Sequence, residues 1–247
     1  MYGSRARIGY TSPLLLTEVI LHEFYLVAPK GVSFMVSMGV VWKATREEML
    51  ATRKMHLDAA EQMGKSGASI VVLGCVPVNL LDGFARIGEH MRECEQRGGV
   101  PVTTSVTSQI NALRQVNAKR IGQIHIQAPP PVPSGEEEYL MKCGFELVAD
   151  EGVGSSPSAV GGLDSDVNVR AARKMLKEHP GIDTLYFPGP HRATLDCIER
   201  MERELGITVV TAAQAIFWES FRRSGINEPI PGYGRLLLEP WNGQSNW

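Results

Sequence analysis

The sequence predicts an α/β protein made of two similar α/β domains, whose parallel sheets are related by a pseudo-twofold axis. A chain of 247 residues is long enough for two domains of about 120 residues, each with its own core. Strand and helix patterns alternate nearly throughout, which favours parallel sheets with right-handed crossovers. Blocks of the first half also recur in the second. Because eight strands are predicted, a single (β/α)8 barrel is the alternative architecture.

Each element is predicted from the spacing of its apolar residues and from the residues that stop it. A capping box formed by Thr45 and Glu48 starts one helix, and the β-branched run at 69–74 is typical of a strand buried on both faces. Prolines make the segment 128–138 an extended rim loop. The predicted strands lie at 7–11, 32–40, 69–74, 100–104, 119–126, 145–149, 183–187 and 207–211. The predicted helices lie at 45–64, 82–98, 107–117, 136–143, 166–178, 194–205 and 213–224.

Three successive blocks of sequence indicate an internal duplication. The tripeptide RIG that starts at Arg7 recurs at Arg120, and Cys75 lies 68 residues after Arg7 where Gly189 lies 69 residues after Arg120. The segments that end at these two positions, GASIVVLGC and GIDTLYFPG, also match, as do the strands that follow, VPVTTS and ITVVTA. Such agreement favours two related halves.

The duplication sets the predicted domain boundaries. The first α/β domain takes residues 1–116 together with 213–240, and the second takes residues 117–212. Residues 241–247 are predicted to form a tail.

Composition excludes several classes of function. Lys and Arg number 25 against 27 Asp and Glu, a net charge of −2, so the chain has no basic field for nucleic acid or an anionic membrane. No apolar run approaches the ~20 residues of a membrane span, and the amino terminus shows no apolar signal-peptide core. We therefore expect a cytoplasmic protein that binds neither nucleic acid nor membranes.

The cysteines and histidines show no metal-binding pattern. Cys75, Cys94, Cys143 and Cys197 lie far apart without a CxxC pair, and the six histidines show no HExxH or HxH spacing. These spacings argue against a zinc site and against a disulfide framework. No bound metal is expected.

The candidate site lies where strands of both halves end. Ligands of open parallel sheets bind beyond the carboxyl ends of the strands, and Cys75 and Gly189 each occupy such an end. Loop N–H groups, together with the hydroxyls of Thr104, Ser105 and Thr211 near helix N-termini, favour an anion. We therefore expect a small carboxylic acid to bind in a cleft between the domains.

The thiol of Cys75 has two possible roles. Beside a bound carboxylate it can act as an acid or base at the α-carbon, or as a nucleophile toward an activated alkene. The alternative is packing, because free cysteines are often buried. Cys75 lies at a strand end, before Val76 and Pro77, so both a chemical role and a packing role stay open. Packing is the expected role of Cys94, Cys143 and Cys197, which lie within or at the end of predicted helices.

Three stretches of the chain resemble the aspartate/glutamate racemase superfamily. They are SIVVLGCVPV around Cys75, the segment 193–225 and the closing GYGRLL, and the likeness extends over residues 5–238. It is strongest to the arylmalonate decarboxylase and maleate cis-trans isomerase branches. The resemblance implies a cofactor-independent enzyme, with one cysteine in each half on opposite faces of the substrate's α-carbon.

Carried onto this sequence, the resemblance places one cysteine at Cys75 and leaves Gly189 at the other position. Racemisation with two bases needs an acid and a base on opposite faces, so an ordinary amino-acid racemase is not expected. Arylmalonate decarboxylase also keeps a single cysteine, in its second half. The resemblance therefore implies a mirror-image decarboxylase, in which Cys75 protonates an enediolate from the opposite face.

Two other functions stay open. In maleate isomerase the first-half cysteine attacks the double bond, so Cys75 also suits an isomerase or a single-cysteine epimerase assisted by His191. A catalytically inactive carboxylate-binding protein is the third possibility. The missing second thiol favours it, as do Pro77 and Pro190, which remove two N–H groups from the expected anion cradle.

The resemblance completes the list of expected contacts. Gln127 stands where both branches usually carry a tyrosine, and its amide is expected to replace the phenol as a donor. A homo-oligomer is also possible, with Phe217 and Trp218 as an apolar face. Besides Cys75 and His191 as catalytic residues, the expected substrate contacts are Pro13, Leu14, Gly74, Val76, Thr104, Ser105, Gln127, Gly189, Pro190 and Thr211.

Overall fold

The computed structural model of the protein describes residues 3–13, 18–39, 41, 43, 45–126, 136–154 and 160–241. The strands are β1 Ala6–Ser12, β2 Val32–Met38, β3 Ile70–Leu73, β4 Val102–Thr104, β5 Arg120–His125, β6 Glu146–Gly152, β7 Thr184–Phe187 and β8 Thr208–Thr211. The helices are α1 Glu18–Val27, α2 Arg46–Lys65, α3 Val76–Asn79, α4 Ile87–Gly98, α5 Ser105–Gln115, α6 Glu136–Lys142, α7 Asp166–Glu178, α8 Leu195–Leu205 and α9 Ala212–Arg223. Short 3-10 turns lie at Phe84–Arg86, Val160–Gly162 and Arg235–Leu238.

The strands form two separate parallel sheets with the same strand order. The first runs β2-β1-β3-β4 and the second β6-β5-β7-β8. Helices cover the sheets, and the central strands β3 and β7 are buried along their whole length. The predicted two-domain α/β class is therefore confirmed. The single barrel is wrong, because the first four strands and the last four do not join into one sheet.

The strand register confirms the duplication. In the first sheet Leu73 pairs with Thr104, and in the second Phe187 pairs with Thr211. The repeated blocks thus occupy equivalent places in the two sheets, and the two residues that follow each central strand lie at equivalent edges.

Two helices cross between the halves. Helix α9, which follows β8, packs against β1 and β3 of the first sheet, and α5, which follows β4, reaches β8 of the second. Gln109 of α5 accepts a hydrogen bond from Tyr186 of β7 at 2.5 Å. Where α5 and α9 meet, the buried Glu219 accepts hydrogen bonds from Thr103 and Asn111 at 3.0 and 3.2 Å. The domain boundaries at 116, 213 and 240 stay a prediction.

Most predicted elements are confirmed, with ends shifted by a few residues. The capping box at Thr45 and Glu48 is present and starts α2. Helices α1 and α3 are additional, and the predicted helix 82–98 begins with a 3-10 turn before α4. Most of the predicted rim loop lies outside the described residues, since 128–135 are not among them.

The expectation that Phe217 and Trp218 form an apolar dimer face is wrong. Both side chains are fully buried within the chain, and Trp218 Nε1 donates to the carbonyl of Glu239 at 3.0 Å. These aromatic residues fill the core under α9 because α9 lies against the first sheet. Among the described helices, none combines the length and the apolar character that crossing a bilayer would require.

Candidate active site at the carboxyl ends of β3 and β7

Cys75 occupies a strained backbone position two residues after the end of β3. Its φ and ψ of 72° and 99° lie where side chains other than glycine are rarely found. Among the described residues, Asn117 is the other non-glycine residue with positive φ, and asparagine tolerates this region well. Strain of this kind persists where the surrounding structure holds it, and it clusters at functional sites. Cys75 is half-buried and precedes the first residue of α3.

Gly189, at the equivalent position of the second half, also has a positive φ, of 89°. A β-carbon at this position would lie 3.0 Å from Cδ1 of Ile126, so the isoleucine side chain borders the space that a second thiol would use. The structure therefore places Cys75 and Gly189 as counterparts. One carries a side chain capable of acid, base or nucleophile chemistry and the other carries none.

Gly74 fixes the approach of the Cys75 loop to β1. Its N–H donates to the carbonyl oxygen of Thr11 at 3.1 Å and lies 2.9 Å from Thr11 Oγ1. A β-carbon on Gly74 would overlap the Thr11 carbonyl oxygen. Glycine is therefore required here for close approach of two backbones.

The three predicted hydroxyls are buried and serve the helix starts. Thr104 caps α5, where its Oγ1 accepts from the N–H of Thr107 at 3.0 Å. Thr211 caps α9, accepting from the N–H of Gln214 at 3.3 Å. Ser105 donates to Asn79 Oδ1 at 2.9 Å, which joins α5 to α3 just beyond Cys75. These hydroxyls position the loops around the candidate site, and their contact with substrate stays a prediction.

The remaining predicted residues divide into two groups. Pro13, Val76 and Pro190 are described and buried, and His191 is half-buried two residues beyond Gly189. Leu14 and Gln127 lie outside the described residues.

Buried charges hold the loop that follows Gly189. Glu23 Oε1 accepts from the N–H groups of Thr194 and Leu195 at 2.6 and 2.9 Å, which caps α8. Burial raises the pKa of Glu23 to about 7. Arg192 lies over the Phe187 ring at 5.1 Å and donates to the Ile124 carbonyl at 2.9 Å. Burial lowers the pKa of its guanidinium to about 10.

Two residues near Cys75 were missed by sequence reasoning. Tyr10 is fully buried on β1, beside Gly74, and its hydroxyl has no hydrogen-bond partner among the described residues. Asn79 is buried in the last turn of α3, and its Nδ2 likewise has no acceptor within the described part of the chain. The signal for Asn79 is its place four residues after Cys75, which is one helical turn.

The described cavity and candidate metal ligands lie away from Cys75. A cavity of about 360 Å³ lies between α1 and the start of α8, lined by Glu18, Glu23 and Asp196 among others. Its acidic lining does not suit a carboxylate.

Glu151, Glu178 and His179 are close enough together to hold a metal ion, but Lys174 pairs with both carboxylates at 3.1 and 3.4 Å.

Comparison with known proteins supports the resemblance. The model of the arylmalonate decarboxylase family matches residues 31–237. A curated relative, arylmalonate decarboxylase from Bordetella bronchiseptica, is 28% identical over 188 residues, which cover 74% of this chain and 77% of that protein.

Solved structures of the same superfamily share the fold. A liganded double variant of arylmalonate decarboxylase, with one glycine changed to cysteine and one cysteine to serine, superposes with a TM-score of 0.82 at 24% identity, covering 94% of this chain and 98% of that one. The maleate isomerase of Pseudomonas putida S16 gives a TM-score of 0.79 at 19% identity, with coverage of 94% and 98%. The maleate cis-trans isomerase of Nocardia farcinica gives 0.80 at 18% identity, again covering 94% and 98%. Together with the family match over most of its length, these findings show that the chain belongs to the arylmalonate decarboxylase family.

Proposed function

We propose that the protein is a cofactor-independent lyase that decarboxylates a small malonate-type acid, and that Cys75 protonates the enediolate intermediate. The observation that carries the proposal is the single thiol at the end of β3, in a strained conformation, opposite a glycine at the equivalent end of β7. The family match and the arylmalonate decarboxylase of Bordetella bronchiseptica support this reaction class. The site is the cleft between the two halves.

The reaction balances with the chain's own groups. Cleavage of one carboxyl group releases CO₂, and the electron pair of that C–C bond stays on the substrate as an enediolate. Donors that face the remaining carboxylate stabilise the developing charge. The S–H bond of Cys75 then breaks and its proton forms the new C–H bond, and water returns a proton to the thiolate.

The carboxylate cradle combines loop amides with side-chain donors. Pro77 and Pro190 have no N–H to give, so we assign donor roles to the amide of Val76 and to the Asn79 side chain, whose Nδ2 is unpaired within the described residues. Gln127 is proposed as a further donor. The hydroxyls of Thr104, Ser105 and Thr211 hold the loops. We propose Pro13, Leu14, Gly74 and Gly189 as further substrate contacts.

The position of the thiol predicts the stereochemistry. The family resemblance places the single cysteine of arylmalonate decarboxylase in the second half. A proton delivered from Cys75 then reaches the opposite face of the enediolate, and the product has the opposite configuration.

The test uses phenylmalonate and methylphenylmalonate as substrates. We expect CO₂ release from both, and from methylphenylmalonate one enantiomer, opposite to that formed by arylmalonate decarboxylase under the same conditions. The Cys75→Ser variant should lose this activity, whereas Cys94→Ser, a buried cysteine away from the site, should keep it. Turnover that survives in Cys75→Ser contradicts the proposed role of the thiol.

A second candidate is a maleate-type cis-trans isomerase. A serine variant of the Nocardia farcinica enzyme was captured with a covalently bound succinylcysteine intermediate, and His191 is half-buried near Gly189 where a second acid or base would act. In this reaction the Cys75 thiolate adds to the double bond, the new single bond rotates, and elimination regenerates the thiolate. Incubation with maleate distinguishes the two candidates, because only the isomerase forms fumarate.

An inactive carboxylate-binding protein is the remaining alternative. It is favoured if no acid is turned over and Cys75→Ala binds phenylmalonate as tightly as the unmodified protein in calorimetry.

A further inference from the structure

We propose that Tyr10 is a positioning residue for Cys75. The phenol of Tyr10 donates a hydrogen bond to the Cys75 thiolate once it forms, and so makes the thiol a stronger acid. The inference rests on the proposed function for its catalytic meaning. Its physical basis is a phenol group with no exposure to solvent and no hydrogen-bond partner among the described residues. Buried tyrosine hydroxyls normally have a partner.

Packing holds the phenol beside the Cys75 loop. A β-carbon on Gly74 would lie 3.0 Å from both Cζ and Oη of Tyr10, so the hydroxyl lies against the residue that directly precedes Cys75. On its other side the Tyr10 ring stacks on Phe34 with centroids 5.7 Å apart. The absence of a side chain at Gly74 thus provides the space that the phenol occupies.

Cys75 is close enough for its charge to act on the phenol, although the described structure shows no hydrogen bond between the two groups. Burial raises the pKa of Tyr10, and the negative charge of an ionised Cys75 raises it further. The phenol therefore stays protonated whenever Cys75 ionises, and it remains a hydrogen-bond donor throughout the catalytic cycle.

The direction of the effect on the thiol follows from hydrogen-bond strength. A neutral thiol is a weak acceptor, whereas a thiolate accepts a charge-assisted bond that is much stronger. The phenol consequently favours the ionised form, which lowers the pKa of Cys75. In the proton-transfer step the S–H proton moves to the enediolate carbon, and the sulfur that becomes negative is stabilised by the Tyr10 O–H.

The test compares Tyr10→Phe with the parent protein by alkylation of Cys75 with iodoacetamide between pH 6 and pH 10. A Cys143→Ser background removes the other half-buried cysteine, so that labelling reports on Cys75. We expect the alkylation pKa of Cys75 to rise by about one unit in Tyr10→Phe, with about tenfold slower labelling at pH 7. Tyr186→Phe, which removes a buried phenol from the second sheet, is the matched control and should leave the profile unchanged.

Turnover gives an independent readout. With phenylmalonate we expect kcat of Tyr10→Phe to fall about tenfold while KM stays the same, because the phenol does not touch substrate. An unchanged alkylation profile overturns the inference even if decarboxylation is found. A shifted profile in a protein that decarboxylates no acid leaves the inference standing and removes the proposed function. A fall in melting temperature and kcat without a pKa shift shows a structural role and also overturns it.

Discussion

The loop after β3 and the loop after β7 share a residue with positive φ at the equivalent position but differ in the side chain that it carries. Each begins two residues beyond a central strand, with φ of 72° at Cys75 and 89° at Gly189. The first continues into a helical turn and carries a thiol. The second carries no side chain at the equivalent position and is bordered by Ile126.

The difference shows where the protein tolerates strain. Glycine adopts a left-handed conformation without steric cost, whereas a residue with a β-carbon pays about 1 kcal/mol or more. The second half therefore has the relaxed version of the loop. The first half retains a strained cysteine, supported by the close approach of Gly74 to Thr11 and by the buried Tyr10. Such strain is expected where a side chain carries out chemistry.

The largest expected effect comes from making the two loops alike. Cys75→Gly should reduce kcat/KM for decarboxylation by at least about 1000-fold, because it removes the proton donor. Stability should stay nearly constant, since relief of about 1 kcal/mol of left-handed strain offsets the lost packing and the entropy of glycine. Turnover assays and chemical denaturation measure the two quantities.

Asn117→Gly is the control for this prediction. Asn117 has a φ of 58°, so the variant makes the same kind of backbone change away from the candidate site. It should keep full activity. Comparable activity loss in both variants would mean that the backbone change, and not the thiol, is responsible.

The opposite change gives the second loop a thiol. Gly189→Cys should destabilise the fold by about 1 to 2 kcal/mol, because of its positive φ and the contact at 3.0 Å with Ile126. With a proton donor on each face, the product of methylphenylmalonate decarboxylation should become partly racemic, as chiral chromatography would show. Gly189→Ala has the same backbone cost without a thiol, so it should yield a single enantiomer. A single enantiomer from Gly189→Cys would mean that the two positions do not face the same carbon.

A buried histidine pair in the helical layer of the first half makes the stability of the fold sensitive to acid. Between α2 and α4, burial lowers the pKa of His56 to about 3 and that of His90 to about 4, and Nδ1 of His56 lies 3.3 Å from Nε2 of His90. The folded state keeps both neutral, while the unfolded chain binds protons below about pH 6.5. Stability should therefore fall as the pH drops from about 6.5 toward 4, by about 2 kcal/mol per histidine at pH 5.

Denaturation at pH 7 and pH 5 tests this expectation. His56→Leu should reduce the loss, and His22→Gln, an exposed histidine, should not. Glu23 acts in the opposite direction, since its raised pKa of about 7 makes stability fall as the pH rises from about 4.5 to 7. A pH dependence unchanged in His56→Leu would show that the pair does not titrate as its burial implies.

The smallest expected effects are losses of stability when the helix caps Thr104 and Thr211 are removed. Thr104 forms a reciprocal box with Thr107, at 3.0 and 2.8 Å, whereas the Thr211 cap is a single bond of 3.3 Å. Thr104→Ala should cost about 2 kcal/mol and Thr211→Ala about 1. Ser165→Ala is the control, because Ser165 precedes α7 without capping it and should have little effect. Equal losses at Thr104 and Thr211 would show that the second bond of the box is not significant.

Much of the fold could be predicted because local signals agreed with the global arrangement. The buried β-branched strand before Cys75 and the capping box at Thr45 have physical causes within a few residues. The repeat that the RIG tripeptide first indicated also predicted correctly that Thr104 and Thr211 occupy equivalent places in the two sheets. Helix α1 was missed because its residues are apolar on several faces, with Phe24 and Ile20 fully buried. Phe217 and Trp218 were misjudged because their burial depends on α9 returning to the first sheet.

The candidate site was predicted less completely. The position of Cys75 at a strand end followed from topology, but its positive φ is a property of the three-dimensional loop that no residue pattern indicates. Tyr10 was missed because an aromatic residue in a buried strand is ordinarily part of the core. Its relation to Cys75 depends on the pairing of β1 with β3, which brings residues more than 60 positions apart into contact.

Helices α5 and α9 each contact both sheets and so hold the two halves together. Helix α5 follows the first sheet but is bonded to the second through Gln109 and Tyr186. Helix α9 follows the second sheet but packs on β1 and β3 of the first. Separating the two halves would therefore break both the Gln109–Tyr186 hydrogen bond and the packing of α9 on the first sheet. For the proposed reaction, these shared helices keep the separation between Cys75 and Gly189 nearly fixed while substrate binds and product leaves.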